Sequence, residues 1–214
     1  MGLGSLLNPN RLITLGILFF TSIPIHEWAH AWAAYQLGDD TAARRGRLTI
    51  NPLAHLDPLG TLSIVLVGYG WGKPVPVNHY RLRGDRRASR ALVSFAGPFS
   101  NLVLAILAAI PFRMGWVNVF NLSGSAISLQ TILLEFIFIN LGLMIFNLIP
   151  IPPLDGSRVL AWLLPARWAS ALDRLEQIGG AGLMMVVFLL SRLGVLSALI
   201  SPLYRFMIGA LLPY

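Results

Sequence analysis

His26, Glu27 and His30 stand together in the pentapeptide HEWAH. On a helix, residues at i and i+4 face one way about a turn apart, so the two imidazoles can fill two corners of a tetrahedral Zn²⁺ site. A carboxylate beside them can take a proton from water and hand it to a leaving amine, the use metalloproteases make of this spacing. The chain has 4 His and 9 acidic residues in all, and three of them meet here inside an apolar run. Each would be costly in lipid without a partner, and a shared metal supplies one.

Two histidines leave such a site short of a ligand. The stretch NLIPIPPLDG, residues 147–156, offers Asp155. Pro150, Pro152 and Pro153 forbid a regular helix there, so the chain runs extended up to the aspartate. The membrane crossing that ends at this point finishes on the same side as HEWAH, which lets Asp155 meet His26 and His30 at one depth and leaves a fourth position for water. The competing role for Asp155 is N-cap of a helix starting at Ser157. His55 and Asp57, between two prolines in NPLAHLDPLGT, are either further ligands or turn and capping partners.

The elements that must position these groups follow from composition. With 56% hydrophobic and 12% charged residues and a mean hydropathy of +0.69, the chain reads as an all-α integral membrane protein. Apolar stretches at 12–37, 88–112, 127–149, 178–190 and 194–212 predict a bundle of about five transmembrane helices. Cysteine is absent, which excludes disulfides, thiol nucleophiles and Cys metal sites. The net charge of +7 does not point to nucleic acid, because the basic residues cluster beside apolar spans. Residues 39–90 hold Arg44, Arg45, Arg47, Lys73, Arg81, Arg83, Arg86, Arg87 and Arg90, which predicts that this loop and the HEWAH end before it face the cytoplasm. The N-terminus has no basic stretch before its apolar run and is not expected to be a cleaved signal.

The whole of 1–214 reads as one membrane-embedded domain. Residues 12–38 form the HEWAH helix, in which Pro24 either kinks or restarts the helix beside the histidines or is a proline that neighbouring helices tolerate. Residues 44–87 hold two short strands, RLTI at 47–50 and KPVPVN at 73–78, the second confined to a sheet edge by Pro74 and Pro76. The apolar 59–67 between them is too short to span and is expected as a re-entrant hairpin. Residues 88–112 form the second core helix, where Gly97-Pro98 invites close approach of another helix and Asn101 can hydrogen-bond across the contact. Residues 127–165 form the third, broken at the proline motif, with Glu135 near its outer end, interfacial or paired. An amphipathic interfacial helix along 158–177 and a hairpin of helices over 178–212 complete the chain.

HEWAH at 26–30, GPFSN at 97–101 and NLIPIPPLDG at 147–156 together resemble the signatures of site-2 proteases, membrane-embedded zinc metalloproteases. The resemblance implies one zinc on His26, His30 and Asp155, Glu27 as catalytic acid and base, and Asn147 positioning or polarising the scissile carbonyl. It also implies a compact form without the PDZ or CBS domain many relatives carry, and a membrane-associated sheet before the second core helix. The expected partners are a transmembrane protein or peptide substrate and the lipid bilayer, with a homo-oligomer left open and no nucleic acid. The expected location is the inner membrane of a bacterial cell. Two rival classes stay in view: a metal transporter using the same three residues, and an inactive substrate-binding relative.

Overall fold

The first apolar run folds as one rod with a defect in it: α1 (Pro9–Ile17), a π-helical turn (Leu18–Ser22) and α2 (Ile23–Gln36) follow one another without a break. Pro24 lacks an N–H and its ring presses on the preceding turn, and the wider π turn absorbs that conflict just before the histidines. The computed structural model describes residues 9–67, 71–119, 128–178, 182, 186, 188–190 and 192–213. Among them α3 (Thr41–Arg44), α4 (Pro52–His55) and α5 (Pro58–Val67) make up the loop region. They are followed by α6 (Arg86–Arg113), α7 (Leu129–Asn147), α8 (Asp155–Leu163), α9 (Ala166–Ile178) and α10 (Val195–Leu211).

Among the described residues, three helical runs are long and apolar enough to cross a bilayer, Leu12–Gln36, Arg86–Arg113 and Leu129–Asn147. They do not support the expected count of about five crossings. In the last hairpin, α10 has 17 residues, about 25 Å of helix against roughly 30 Å of hydrocarbon. Much of 178–190 lies outside the described residues.

The sheet and the hairpin are also corrected. Among the described residues there is no strand, only an isolated antiparallel bridge between Leu56 and Gly72. Pro74 and Pro76 remove every second donor a ladder would need, and the other expected strand leads straight into α4, whose first turn Asn51 caps through Leu53 N–H. Residues 58–67 form the single ten-residue helix α5 instead of a hairpin. Asp57 caps it, accepting from Gly60 N–H at 2.8 Å, and so takes the turn-capping role.

Helix α6 organises the rest, making the three most extensive helix contacts, with α2, α7 and α8. Its Leu92, Phe95, Phe99, Val103, Ile106 and Ile110 are exposed, while Ala105, Ala108, Ala109 and Asn101 are buried. Large apolar groups outside and small or polar ones inside is the pattern of a helix solvated by lipid, whose bundle contacts depend on close approach. The alanines pack with Phe112 against Ile137 and Leu141 of α7. At its N-terminal end, capped by Asp85 through Ala88 N–H, α6 holds two further helices. The Arg87 guanidinium donates to the carbonyls of Ala161 and Leu164, satisfying the C-terminal end of α8, and Arg90 pairs with Asp173 of α9 at 3.0 Å. Glu135 is paired as expected, accepting from the Thr14 hydroxyl of α1 at 3.1 Å. On α9, Trp168 and Leu175 are exposed, consistent with an interfacial position.

Candidate metal centre

The two histidines of α2 point their Nε2 atoms at one spot, 3.0 Å apart. Asp155 brings its Oδ2 to 3.3 Å from each of them. Ligands about 2.0–2.1 Å from a tetrahedral zinc lie roughly 3.3 Å from one another, so the triangle has the size of such a site. All three residues are buried. Asp155 is the first residue of α8, and the N-cap position of that helix is Leu154, so Asp155 does not stand where the N-cap alternative puts it.

The protonation of the rings decides whether a metal fits. His26 Nδ1 donates to Asn101 Oδ1 at 2.6 Å, and His30 Nδ1 donates to the Val93 carbonyl at 2.7 Å. With both Nδ1 atoms carrying the proton, the neutral rings turn lone pairs toward each other and toward a carboxylate oxygen. That clustering of acceptors repels unless a cation lies among them, and buried partners on the far ring nitrogen are how metal-binding histidines are oriented. His26, His30 and Asp155 can therefore hold a metal ion.

Helix α6 supplies both of these partners and also the clearance. A Cβ on Gly97 would lie 2.4 Å from His30 Nε2 and 2.7 Å from His26 Cε1, so only glycine lets the helix sit this close. Behind Asn101, its Nδ2 donates to Asn140 Oδ1 of α7 at 2.8 Å, and Asn140 donates to the Phe136 carbonyl at 2.8 Å. In the sequence, Gly97 and Asn101 stand in the GPFSN signature as groups for helix packing and a cross-helix hydrogen bond, with no link to the histidines; a polar residue at helical spacing from a small one in an apolar helix was the available signal. Replacing Asn101 with alanine is expected to weaken metal affinity about 10- to 100-fold, by loss of the ring's partner, and to destabilise the fold by about 1–3 kcal/mol, by stranding buried polar atoms. Metal titration and thermal unfolding of the purified variant check both.

A cavity of about 620 Å³ opens beside the triad, lined by Glu27, Asn147, Arg158 and the extended segment 71–77. Glu27 Oε2 accepts the N–H of Val75 at 3.2 Å. Asn147 spends one amide hydrogen on the Leu143 carbonyl at 2.9 Å, and a primary amide has a second. Arg158, a turn after Asp155, places its guanidinium 3.8 Å from Asp155 Oδ1, the oxygen turned away from the histidines; no motif in the chain marks this residue's place.

His55 is not at the triad. It is fully buried, its Nε2 donates to the Thr49 carbonyl at 2.6 Å, and its own carbonyl accepts Lys73 N–H at 2.7 Å. Burial pushes its imidazole below the ordinary 6.5, with the Arg47 charge acting in the same direction and the Glu27 charge against it. Below about pH 6.5 the unfolded chain takes up a proton that the folded chain refuses, so the stability His55 contributes above that pH is lost as pH falls. Thermal unfolding between pH 7.5 and 5.5 is expected to show a steeper loss for the parent than for His55→Gln.

A relative in Bacillus subtilis (strain 168), named "Putative zinc metalloprotease YwhC", is 42% identical over 176 residues, 81% of this chain and 77% of the relative. The model of Peptidase family M50 matches residues 113–191, which contain the LDG aspartate. The chain belongs to this family. A second relative, named "Putative zinc metalloprotease Rip2" in Mycolicibacterium smegmatis (strain ATCC 700084 / mc(2)155), is 32% identical over 79% of this chain and 64% of its own length. The Rip2 of Mycobacterium tuberculosis (strain ATCC 25618 / H37Rv) is 30% identical over 66% of this chain and 54% of its own. No solved structure matches the chain. M50 membership agrees with the site-2 protease resemblance and, with the three apolar spans, identifies a membrane protein of a metalloprotease family.

Proposed function

We propose that the chain is an intramembrane zinc metalloendopeptidase that hydrolyses peptide bonds in or near transmembrane segments of membrane proteins, in regulated intramembrane proteolysis. The observation that carries this reading is the convergence of His26 Nε2, His30 Nε2 and Asp155 Oδ2 on the wall of a cavity that Glu27 also lines. A structural site needs neither the cavity nor the carboxylate.

When bound, zinc would supply Lewis acidity and lower the pKa of a coordinated water toward about 7. His26, His30 and Asp155 hold it, with Asn101 and the Val93 carbonyl fixing the rings. Glu27 accepts the proton from water and returns it to the leaving nitrogen. The second hydrogen of Asn147 donates to the carbonyl oxygen as it gains charge. Nine basic residues in 39–90 support a cytoplasmic position for this end of the bundle.

A helical substrate cannot present its carbonyl, which is engaged within the helix. The substrate is therefore a transmembrane segment with helix-breaking residues near its cytoplasmic end, held extended along segment 73–78 by strand addition. In this segment Lys73 N–H is spent on His55, Val75 N–H on Glu27, and Pro74 and Pro76 have none. With the Lys73 carbonyl already accepting from Arg47, the edge from 74 to 76 offers carbonyls only, so it can take substrate N–H groups while leaving the substrate's own carbonyls free for attack.

The test is metal removal. Purified protein is expected to carry zinc and cleave a single-span membrane substrate, to lose cleavage on chelation, and to regain it with one equivalent of zinc. Cleavage that persists in chelated, zinc-free protein would end this reading.

A further inference from the structure

The segment 71–78 lies across Glu27, and it is fastened on both sides of the contact. On one side Lys73 N–H reaches the His55 carbonyl at 2.7 Å and the Arg47 guanidinium donates to the Lys73 carbonyl at 2.5 Å. On the other, Asn78 N–H donates to Asp39 Oδ2 at 2.6 Å, and Asp39 is itself fully buried and held by Thr41 N–H at 3.0 Å. Between the fastenings Val75 N–H meets Glu27 Oε2 at 3.2 Å. Gly72 brings bare backbone up to the same carboxylate: a Cβ there would stand 3.7 Å from Glu27 Oε1 and 3.1 Å from Ile23 Cγ2.

From this arrangement we infer that the peptide N–H of Val75 is the group that positions Glu27, and that the strap exists in part to hold that donor over the carboxylate. Pro74 and Pro76 fix the backbone on either side and carry no N–H, so between Lys73 and Val77 no other donor competes for Glu27. A glutamate side chain has three rotatable bonds, and its carboxylate can accept through either oxygen. Holding Oε2 leaves Oε1 to receive and return the proton in one orientation. Alignment of this kind acts on the chemical step and not on substrate affinity. The kinetic consequence rests on the metallopeptidase reading; the contact does not.

Two measurements on the full chain in lipid nanodiscs test it. In protein labelled with ¹⁵N-valine and ¹⁵N-lysine, Glu27→Ala is expected to speed hydrogen exchange at Val75 by about tenfold or more, while Lys73, the chain's single lysine, keeps its rate. Unchanged exchange at Val75 overturns the inference. In the second, Val75 is replaced by its α-hydroxy acid, an amide-to-ester change that removes the N–H and keeps the side chain. The expected result is zinc content equal to the parent, kcat lower by about 10- to 100-fold, and KM within about threefold. An ester variant that loses zinc, keeps kcat within twofold, or raises KM alone also overturns it. A parent that binds zinc and cleaves nothing would sink the protease reading instead, and the exchange result would still decide the contact.

Discussion

Glu27→Gln is expected to keep its metal and lose its activity. Glutamine has nearly the shape of glutamate, and its amide oxygen can still accept Val75 N–H, found at 3.2 Å from Glu27. None of the groups that orient the histidines or Asp155 is Glu27: Asn101 and the Val93 carbonyl hold the rings, and Arg158 faces the free oxygen of Asp155. Zinc content should therefore stay at the parent level. What the amide cannot do is take a proton from water and return it to the amine. General acid and base catalysis by a placed side chain is worth about 10²–10⁴-fold, roughly 2.7–5.4 kcal/mol of barrier, and here one residue performs both transfers. Cleavage of a single-span substrate should fall by at least that factor, measured against parent protein at matched zinc. Zinc retained with cleavage undiminished would remove Glu27 from the chemistry, and metal transport surviving in the variant would favour a transporter.

Gly97→Ala should have the opposite signature, with metal and activity lost together. The added methyl would stand 2.4 Å from His30 Nε2, 2.6 Å from His30 Cε1 and 2.7 Å from His26 Cε1, where carbon contacts settle near 3.5–4.0 Å. About an ångström of movement is needed, and neither side can give it freely. The rings are tied through Nδ1 to α6 itself, so withdrawing the helix pulls Asn101 and Val93 off the histidines it was meant to clear. Metal sites tolerate only about 0.2 Å in ligand distance. Zinc affinity is expected to fall by more than the 10- to 100-fold of a lost ring partner, with a further cost of about 1–3 kcal/mol for overpacking. Metal analysis and thermal unfolding of the variant measure both. Full zinc occupancy in Gly97→Ala would show that α6 does not press on the site as described.

What was local in the chain was legible in the sequence. The i, i+4 spacing puts His26 and His30 on one face of α2 because helical geometry needs no partner to do so. The apolar lengths of Leu12–Gln36, Arg86–Arg113 and Leu129–Asn147 mark three spans because the bilayer sets that length. The prolines before Asp155 stop α7 at Asn147 and let α8 begin at Asp155, since a missing N–H breaks a helix wherever it falls. Strand pairing was misread for a related reason. The residues of 47–50 and 73–78 suit extended backbone, but a ladder is a property of two segments, and here the second segment meets side chains of Arg47 and Glu27 instead of a strand.

The chemistry-bearing residue types, and the membrane they sit in, were thus determined by the sequence alone: His, Glu and Asp in apolar surroundings have few other ways to be tolerated. The tertiary structure decided which partner each one has. Asn101 reaches His26 across 75 residues and the Val93 carbonyl reaches His30 across 63. Such contacts depend on how closely α6 can approach α2, which Gly97 permits and no periodicity encodes. Likewise nothing in KPVPVN says that one of its N–H groups ends on Glu27. That follows from where His55, Arg47 and Asp39 fasten the strap, and packing alone brings those three together.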